Sequence, residues 1–272
     1  MNMKTKTLAN GVEMPVIGYG TFRMKDHEVA YEGVTNALKL GYRHIDTAAI
    51  YENEEAVGRA IADSGIRREE LFITTKVWNS DQGYDQTLKA FETSLQKLGL
   101  DYVDLYLIHW PKPTLNETYR ALERLYDEKL IRVPGVSNFQ RHHLDALFAT
   151  CNVKPMVNQI EVHPSLAQNE LRAYCEQHDI AVTAWAPLGT GIAFTHPVVK
   201  RLAAKYGKTP AQIVLRWQLE VGNIAIPKSV TPERIKENLD VYDFSLAADE
   251  TAAITALNTF HRTAADPDNF DF

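Results

Sequence analysis

Eight short apolar segments alternate with helical segments along the chain, and this alternation constrains the fold more than any other feature. The segments are apolar over most of their length, which is typical of parallel strands covered by helices. Eight strand–helix units predict a single (β/α)8 barrel domain over residues 1–272. The strand candidates are 16–20, 43–45, 71–77, 103–109, 132–136, 156–160, 180–184 and 223–227.

The segments around the strands add detail to this prediction. Asn10-Gly11 between short apolar runs predicts a hairpin that ends at Pro15. A doubly wound open sheet is the alternative fold, but its G-x-G-x-x-G motif is missing, because Gly18-Tyr19-Gly20 is followed by Thr-Phe-Arg. The barrel is therefore favoured. The predicted helices are 29–40, 53–62, 84–98, 117–128, 141–148, 169–178 and a long stretch over 197–220, with two more after the last strand.

Charge and composition exclude several classes of protein. Lys and Arg total 29 against 35 Asp and Glu, a net charge of −6, which disfavours a broad nucleic-acid surface. No apolar run approaches the ~20 residues of a membrane span, and the first residues lack the apolar core of a signal peptide. We therefore expect a cytoplasmic protein. Cys151 and Cys175 fit no disulfide or metal spacing, so we expect reduced, structural thiols.

Polar side chains occupy the C-terminal ends of the predicted strands, where barrel enzymes place their chemistry. Asp46, Lys76 and His109 lie at the C-terminal ends of three neighbouring strands, and Tyr51 lies in the loop after the first of them. Because a buried aspartate needs a partner, we expect Lys76 to pair with Asp46. The other strand ends carry Ser137, Asn138, Gln159, Trp185 and Lys228.

The four neighbouring side chains suggest proton transfer to an oxygen. An ammonium group stabilises a phenolate, so we expect Lys76 to lower the pKa of Tyr51 and make it a usable general acid. A neutral His109 would orient the incoming oxygen. This set suits protonation of the alkoxide that forms when a carbonyl receives a hydride. A hydride donor is then required, and because no side chain is one, a nicotinamide cofactor is implied.

The remaining strand ends carry residues that could bind the nicotinamide. Ser137, Asn138 and Gln159 can hydrogen-bond a carboxamide, and Trp185 provides a flat face for stacking.

The segment 227–238 suggests a phosphate site at the start of a helix. Thr231 is a candidate N-cap and Pro232 suits the first helical position. Lys228 and Arg234 place positive charge where the helix dipole disfavours it, and a bound phosphate would resolve the conflict. The alternative is that both cations are simply solvated.

Short motifs recur along nearly the whole chain: G-Y-G-T-F at 18–22, H-I-D-T-A-x-x-Y at 44–51, I-T-T-K-V-W at 73–78, D-L-Y-L-I-H-W-P at 104–111, G-V-S-N-F at 135–139, N-Q-I-E-x-H-P at 158–164, A-W-A-P-L-G at 184–189 and I-P-K-S at 226–229. By these motifs the chain resembles the aldo-keto reductases, which are NADPH-dependent (β/α)8-barrel oxidoreductases. With D-P-D-N-F-D-F at 266–272, it looks most similar within that family to the branch of bacterial 2,5-diketo-D-gluconate reductases and microbial prostaglandin F synthases.

The resemblance implies roles for individual residues and a monomeric protein whose N-terminal hairpin covers the closed end of the barrel. Asp46, Tyr51, Lys76 and His109 would form the catalytic tetrad, with Tyr51 the proton donor. Lys228, Ser229, Arg234 and Asn238 would bind the adenosine 2′-phosphate and favour NADPH over NADH, and the remaining cofactor contacts would come from Gly20, Thr21, Ser137, Asn138, Gln159, Trp185, Pro187 and Leu188.

Two positions depart from the family pattern. Trp185 stands where many members have Tyr, and it should still stack on the nicotinamide. Pro134 stands inside the fifth strand of the barrel, where it removes a backbone donor. The sequence therefore leaves open the local pairing and the exact placement of Ser137 and Asn138, and we expect a modest cost in stability because the neighbouring residues keep the pattern.

Aromatic residues after three strands predict the substrate pocket. Phe22, Trp78 and Trp110 either wall a pocket over Tyr51 or pack as ordinary barrel-top residues. The short segments after Trp110 and Leu257 predict an open site. We expect small substrates: aldehydes, α-keto aldehydes, keto esters and keto sugars such as 2,5-diketogluconate.

Three other functions compete with carbonyl reduction. Lys76 could form a Schiff base in an aldolase, although this leaves Lys228 and Arg234 unexplained. A barrel that binds NADPH without catalysis is a second rival. A metal hydrolase is weaker, because His142 and His143 are adjacent and no His-x-His occurs. The sequence leaves open whether His163 and the acidic residues Asp266, Asp268 and Asp271 touch the site or solvent.

Overall fold

The computed structural model describes residues 4–272. Eight parallel strands, β3 to β10, follow one another in sequence order around one sheet. A parallel bridge between Ile17 and Ala225 joins the two edge strands, which confirms the predicted (β/α)8 barrel. The strands are β1 (Thr5–Thr7), β2 (Glu13–Pro15), β3 (Tyr19–Gly20), β4 (His44–Asp46), β5 (Phe72–Val77), β6 (Val103–Ile108), β7 (Ile131–Ser137), β8 (Val157–Glu161), β9 (Ala181–Trp185) and β10 (Ile224–Ala225).

Within residues 4–272, ten α-helices accompany the strands. The apolar faces of the helices pack on the outside of the barrel, with Val34, Leu122 and Leu215 fully buried between the two layers. Burial of each such side chain stabilises the fold by about 1.5–3 kcal/mol. The helices are α1 (His27–Leu40), α2 (Glu54–Asp63), α3 (Tyr84–Leu98), α4 (Leu115–Asp127), α5 (Arg141–Phe148), α6 (Asn169–Gln177), α7 (Pro197–Tyr206), α8 (Pro210–Glu220), α9 (Pro232–Leu239) and α10 (Ala248–Thr255).

The N-terminal hairpin of β1 and β2 turns at Gly11, whose φ of 83° favours glycine, and it ends at Pro15 as predicted. Leu8 and Met14 are buried in one apolar cluster with Phe72 and Ile224, the first residues of their strands. The hairpin therefore covers the N-terminal end of the barrel.

The prediction of one long helical stretch over 197–220 was wrong, because the structure divides it into α7 and α8. Gly207 ends α7 in a left-handed conformation with φ of 62°. Thr209 then caps α8, and its side chain accepts a hydrogen bond from Gln212 N while Pro210 occupies the first turn. A glycine stop followed by a Thr-Pro start outweighs the continuous apolar periodicity.

Pro134 does not interrupt β7, so the pairing left open by the sequence is kept, and the modest cost in stability stays a prediction. It pairs with Tyr106 of β6, and its carbonyl oxygen accepts from Met156 N at 3.0 Å. The amide and carbonyl of one strand residue point to the same side, so the missing N–H faces the approach to β8, which begins only at Val157. The proline thus removes no ladder bond at this position.

Candidate active site

Asp46 and Lys76 form a buried ion pair at the C-terminal rim of the barrel, as the sequence predicted. Lys76 Nζ lies 2.6 Å from Asp46 Oδ1, and the two side chains are 0% and 2% exposed. The same ammonium donates to the carbonyl oxygen of Thr47 at 2.8 Å. Thr47 was missed in the sequence, because any residue type can supply a carbonyl.

Tyr51 and His109 complete the group on the same rim. Tyr51 ends a short 3₁₀ turn that follows β4, and Lys76 Nζ lies 5.0 Å from the centre of its ring. His109 directly follows β6, and its ring meets the Tyr51 ring edge-on with centroids 5.7 Å apart. The structure therefore brings the four predicted side chains together.

The prediction that Lys76 lowers the pKa of Tyr51 was wrong. Burial raises the pKa of the Tyr51 phenol well above its ordinary value, and the negative charge of Asp46 raises it further. Because Asp46 holds Lys76 at 2.6 Å, the carboxylate offsets the ammonium as seen from the phenol. Tyr51 accordingly keeps its proton at neutral pH.

Lys76 and His109 respond to burial in the expected directions. Burial lowers the pKa of Lys76, while Asp46 opposes this shift. Burial and the nearby Lys76 charge lower the pKa of His109 well below its ordinary value. His109 is therefore neutral, and its buried Nδ1 has no partner within the part of the chain that the structure describes.

Gln159 ties the ion pair to the opposite side of the barrel. Its Nε2 donates to Asp46 Oδ2 at 2.7 Å, so both carboxylate oxygens of Asp46 have partners. The sequence placed Gln159 only at the nicotinamide. The side-chain oxygen of Gln159 remains able to accept from a carboxamide.

Asn138 connects several strand ends through one side-chain amide. Its Nδ2 donates to His109 O at 2.9 Å and to Ser137 Oγ at 3.2 Å. Its Oδ1 accepts from Trp185 Nε1 at 2.9 Å, and Ser137 Oγ donates to Gln159 O at 2.8 Å. The four residues predicted at the nicotinamide therefore lie together in one network, and most of their polar side-chain atoms already have hydrogen-bond partners.

Other predicted cofactor residues have structural contacts of their own. The backbone N–H of Gly20 donates to Pro227 O at 3.2 Å, and both the N–H and the hydroxyl of Thr21 donate to Asp46 O at 3.0 Å. Pro187 O accepts from Gln218 Nε2 at 3.2 Å, and Leu188 is half-buried beside it. These contacts shape the rim and leave cofactor contact by these residues as a prediction.

The start of α9 carries free positive charge. Thr231 and Pro232 occupy the predicted N-cap and first helical positions, but the Thr231 side chain makes no capping bond. Lys228 and Arg234 are exposed, and neither has a carboxylate within 4.0 Å in residues 4–272. Two cations and unsatisfied helix N–H groups form a donor set that fits a phosphate.

Ser229 and Asn238, the other residues predicted at the phosphate, are both largely buried. Ser229 Oγ accepts from Thr231 N at 3.1 Å, which shapes the turn into α9.

Aromatic side chains surround the space beside Tyr51. Phe22 is 54% exposed, and its ring centre lies 5.1 Å from that of Tyr51. The Trp78 ring meets the His109 ring edge-on at 5.1 Å. The prediction of aromatic walls fits these contacts.

The segment 258–272 adds two aromatic rings to this wall. Phe272 stacks on Trp78 with centroids 5.8 Å apart and 7° between the planes, and Phe270 lies 5.0 Å from Trp110. The prediction of an open site left out these rings, since nothing in the periodicity of the segment shows where it packs.

The segment 258–272 is anchored below the rim by a buried acid. Thr263 donates to Glu161 Oε1 through both its N–H and its hydroxyl at 2.6 Å. The fully buried His163 lies 3.0 Å from the same oxygen. His163 thus belongs to the anchor of this segment, while Asp268 lies near His142 and His143 at the surface.

A barrel with a Tyr–Lys–Asp–His rim defines a class of oxidoreductase that reduces carbonyl groups, and the comparisons agree. A model described as "Aldo/keto reductase family" matches residues 16–259, and the chain belongs to this family. No helix in the described residues is long and apolar enough to cross a membrane.

Individual relatives match over nearly their whole length. The "9,11-endoperoxide prostaglandin H2 reductase" of Trypanosoma cruzi is 52% identical over 99% of this chain and 96% of its own. The "Glyoxal reductase" of Bacillus subtilis is 52% identical over 98% of both chains. The structure of a Bombyx mori aldo-keto reductase in complex with NADP has a TM-score of 0.94 at 38% identity, covering 98% of this chain and 97% of that chain.

Proposed function

We propose that this protein reduces small aldehydes and ketones to alcohols with NADPH, and that Tyr51 donates the proton. One observation carries the proposal: a protonated Tyr51 lies beside the buried Lys76–Asp46 pair and a neutral His109 on one rim. A proton donor, a fixed positive charge and a neutral hydrogen-bonding group are what a developing alkoxide requires.

The donor set of the rim fits a bound NADPH, which supplies the hydride when it is present. Gln159, Asn138, Ser137 and Trp185 would hold the nicotinamide end. Exposed Lys228 and Arg234 would pair with the phosphate of the adenosine, and this favours NADPH over NADH. The Bombyx mori relative solved with NADP supports this assignment.

The chain's own residues divide the proton transfer between them. His109 orients the carbonyl oxygen toward the Tyr51 hydroxyl, and that hydroxyl gives its proton as negative charge develops on the oxygen. The ammonium of Lys76, 5.0 Å from the centre of the Tyr51 ring, stays beside the phenolate left behind and limits the cost of its negative charge. Solvent then returns the proton to Tyr51. Carbonyl carbon and oxygen thereby each gain one hydrogen.

The substrate class follows from the aromatic walls. Phe22, Trp78 and Trp110, narrowed by Phe270 and Phe272, suit compact carbonyl compounds without long apolar tails. The Bacillus subtilis relative is named for glyoxal, which supports α-keto aldehydes as substrates. Keto esters and keto sugars such as 2,5-diketogluconate remain part of the proposal.

The environment of Lys76 disfavours a Schiff-base mechanism. Its ammonium is fully buried and bonded to Asp46 and Thr47 O. Attack on a carbonyl would need a neutral amine released from both partners.

The test is oxidation of NADPH with methylglyoxal and with a small keto ester, repeated with NADH. In Tyr51→Phe we expect kcat to fall by about 10²–10⁴-fold, because only the proton donor is lost. NADPH binding, followed by cofactor fluorescence, should persist. Tyr31→Phe is the matched control, since that hydroxyl bonds Asp63 on the outer helices.

Full turnover by Tyr51→Phe would refute the role of the tyrosine. NADPH binding without turnover of any carbonyl would favour a sensor, and much faster reduction of bulky steroids would refute the proposed substrate class.

A further inference from the structure

Three side chains with possible metal-ligand atoms meet at the surface, and none of them belongs to the group of Asp46, Tyr51, Lys76 and His109. His142 and His143 lie in the first turn of α5, and Asp268 comes from the segment 258–272. Nε2 of His142 lies 3.1 Å from Asp268 Oδ1, and Nε2 of His143 lies 3.6 Å from the same oxygen. Two imidazoles therefore face one carboxylate from two sides.

These distances match the spacing of ligands around a tetrahedral metal. Zinc binds His nitrogen and Asp oxygen at about 2.0–2.2 Å, which places neighbouring ligand atoms about 3.3–3.6 Å apart. The measured 3.1 and 3.6 Å bracket that spacing. All three ligand atoms lie within 4.8 Å of one another, and two imidazoles select zinc over magnesium.

We propose that His142, His143 and Asp268 form a site for one zinc ion, which fastens the segment 258–272 to α5. The other coordination positions would be filled by water, since the cluster is open to solvent.

The tautomer of His143 sets the strength of this site. Its Nδ1 accepts a hydrogen bond from the N–H of Gln140, so its Nε2 carries the proton when no metal is bound. Coordination through Nε2 moves that proton to Nδ1 and breaks the bond to Gln140, which weakens binding by about tenfold. We therefore expect a weaker affinity than that of a structural zinc site.

Two residues of the same segment connect the proposed zinc site to the walls of the substrate pocket. Phe270 and Phe272 follow Asp268 closely and pack on Trp110 and Trp78. Zinc at Asp268 would hold these rings against the pocket wall. Resting on the proposed function, we expect zinc to raise the KM for a bulky keto ester severalfold and to leave that for methylglyoxal unchanged.

The test is titration of the full-length protein with ZnCl₂ by isothermal calorimetry at pH 7.5, with MgCl₂ as the comparison ion. We expect one zinc per chain. His142→Gln and Asp268→Asn should each raise the Kd at least about tenfold, because each removes one ligand. His261→Gln and Asp271→Asn are matched controls, since both residues are exposed in the same segment and lie outside the cluster.

Native-like zinc binding by His142→Gln and Asp268→Asn would overturn the site, as would absence of binding by the native protein up to about 1 mM zinc. Binding is measured without substrate, so a failure of the proposed reductase activity would leave this result intact. If zinc binds as expected but changes no KM, the link to the pocket is refuted.

Discussion

The barrel buries one aspartate near each end, and the two are held differently. Asp104, in β6, receives Arg132 at Oδ1 and Arg68 at Oδ2, each at 2.7 Å, and the backbone N–H of Ile73 at 2.8 Å. Asp46, at the catalytic rim, receives Lys76 and Gln159.

The choice of cation separates the two sites. An arginine keeps its proton under all physiological conditions, so the Asp104 cluster is a fixed brace. Burial lowers the pKa of Lys76 while Asp46 opposes this shift, so the positive charge of the Asp46 cluster depends on its carboxylate. We infer that one end of the barrel is built for stability and the other for chemistry.

The same substitution at both ends tests this inference, and the larger effect is expected at the rim. In Asp46→Asn the carboxylate no longer holds the proton on Lys76, so the pKa of this amine falls further. We expect kcat to fall by about 10³-fold, within the range for loss of acid catalysis. Steady-state reduction of methylglyoxal at pH 7 measures the effect. A kcat within tenfold of the native value would contradict the inference that this end of the barrel is built for chemistry.

Asp104→Asn should instead reduce stability. We expect the free energy of unfolding to fall by about 3 kcal/mol, at the low end for a broken buried pair, because both arginines retain some access to water. Urea denaturation measures this loss. The kcat of the folded variant should stay within about twofold of the native value. A large loss of activity here, with native stability, would reverse the assignment of the two ends.

His44, the first residue of β4, gives a smaller and pH-dependent test of the end of the barrel that we infer to be built for stability. Burial lowers the pKa of this fully buried imidazole to about 4, against about 6.5 in the unfolded chain. Its contribution to stability is therefore complete above pH ~6.5 and is lost as the pH falls toward 4. We expect the native protein to lose about 2 kcal/mol more than His44→Leu between pH 7 and pH 5. Denaturant titrations at both pH values measure this, and parallel losses would contradict it.

Much of the rim could be predicted because parallel strands bring their C-terminal ends to one edge. Asp46, Lys76 and His109 each lie at or next to the C-terminal end of a buried strand, so their positions required only the strand order. The start of α9 could also be predicted, because Thr-Pro is a local signal for a helix start.

The unpredicted features depend on distances across the fold. Gln159 bonds Asp46 from 113 positions away, and no local pattern encodes that contact. Burial and the charge of Asp46 both raise the pKa of Tyr51, and only the three-dimensional structure shows how deeply the phenol is buried beside that carboxylate. Phe270 and Phe272 lie in a segment without helical or strand periodicity. The sequence pattern therefore could not predict that this segment packs over Trp78 and Trp110.

The bond from Trp185 to Asn138 has a consequence for how this rim can be altered. An indole N–H only donates, so it dictates which end of the Asn138 amide faces it and directs the amide nitrogen to His109 O and Ser137. A phenylalanine at position 185 would remove that donor and leave Asn138 Oδ1 without its partner, so that His109 O alone would orient the amide. Positions 185 and 138 therefore act as a matched pair, and a redesign of the proposed nicotinamide site has to change them together.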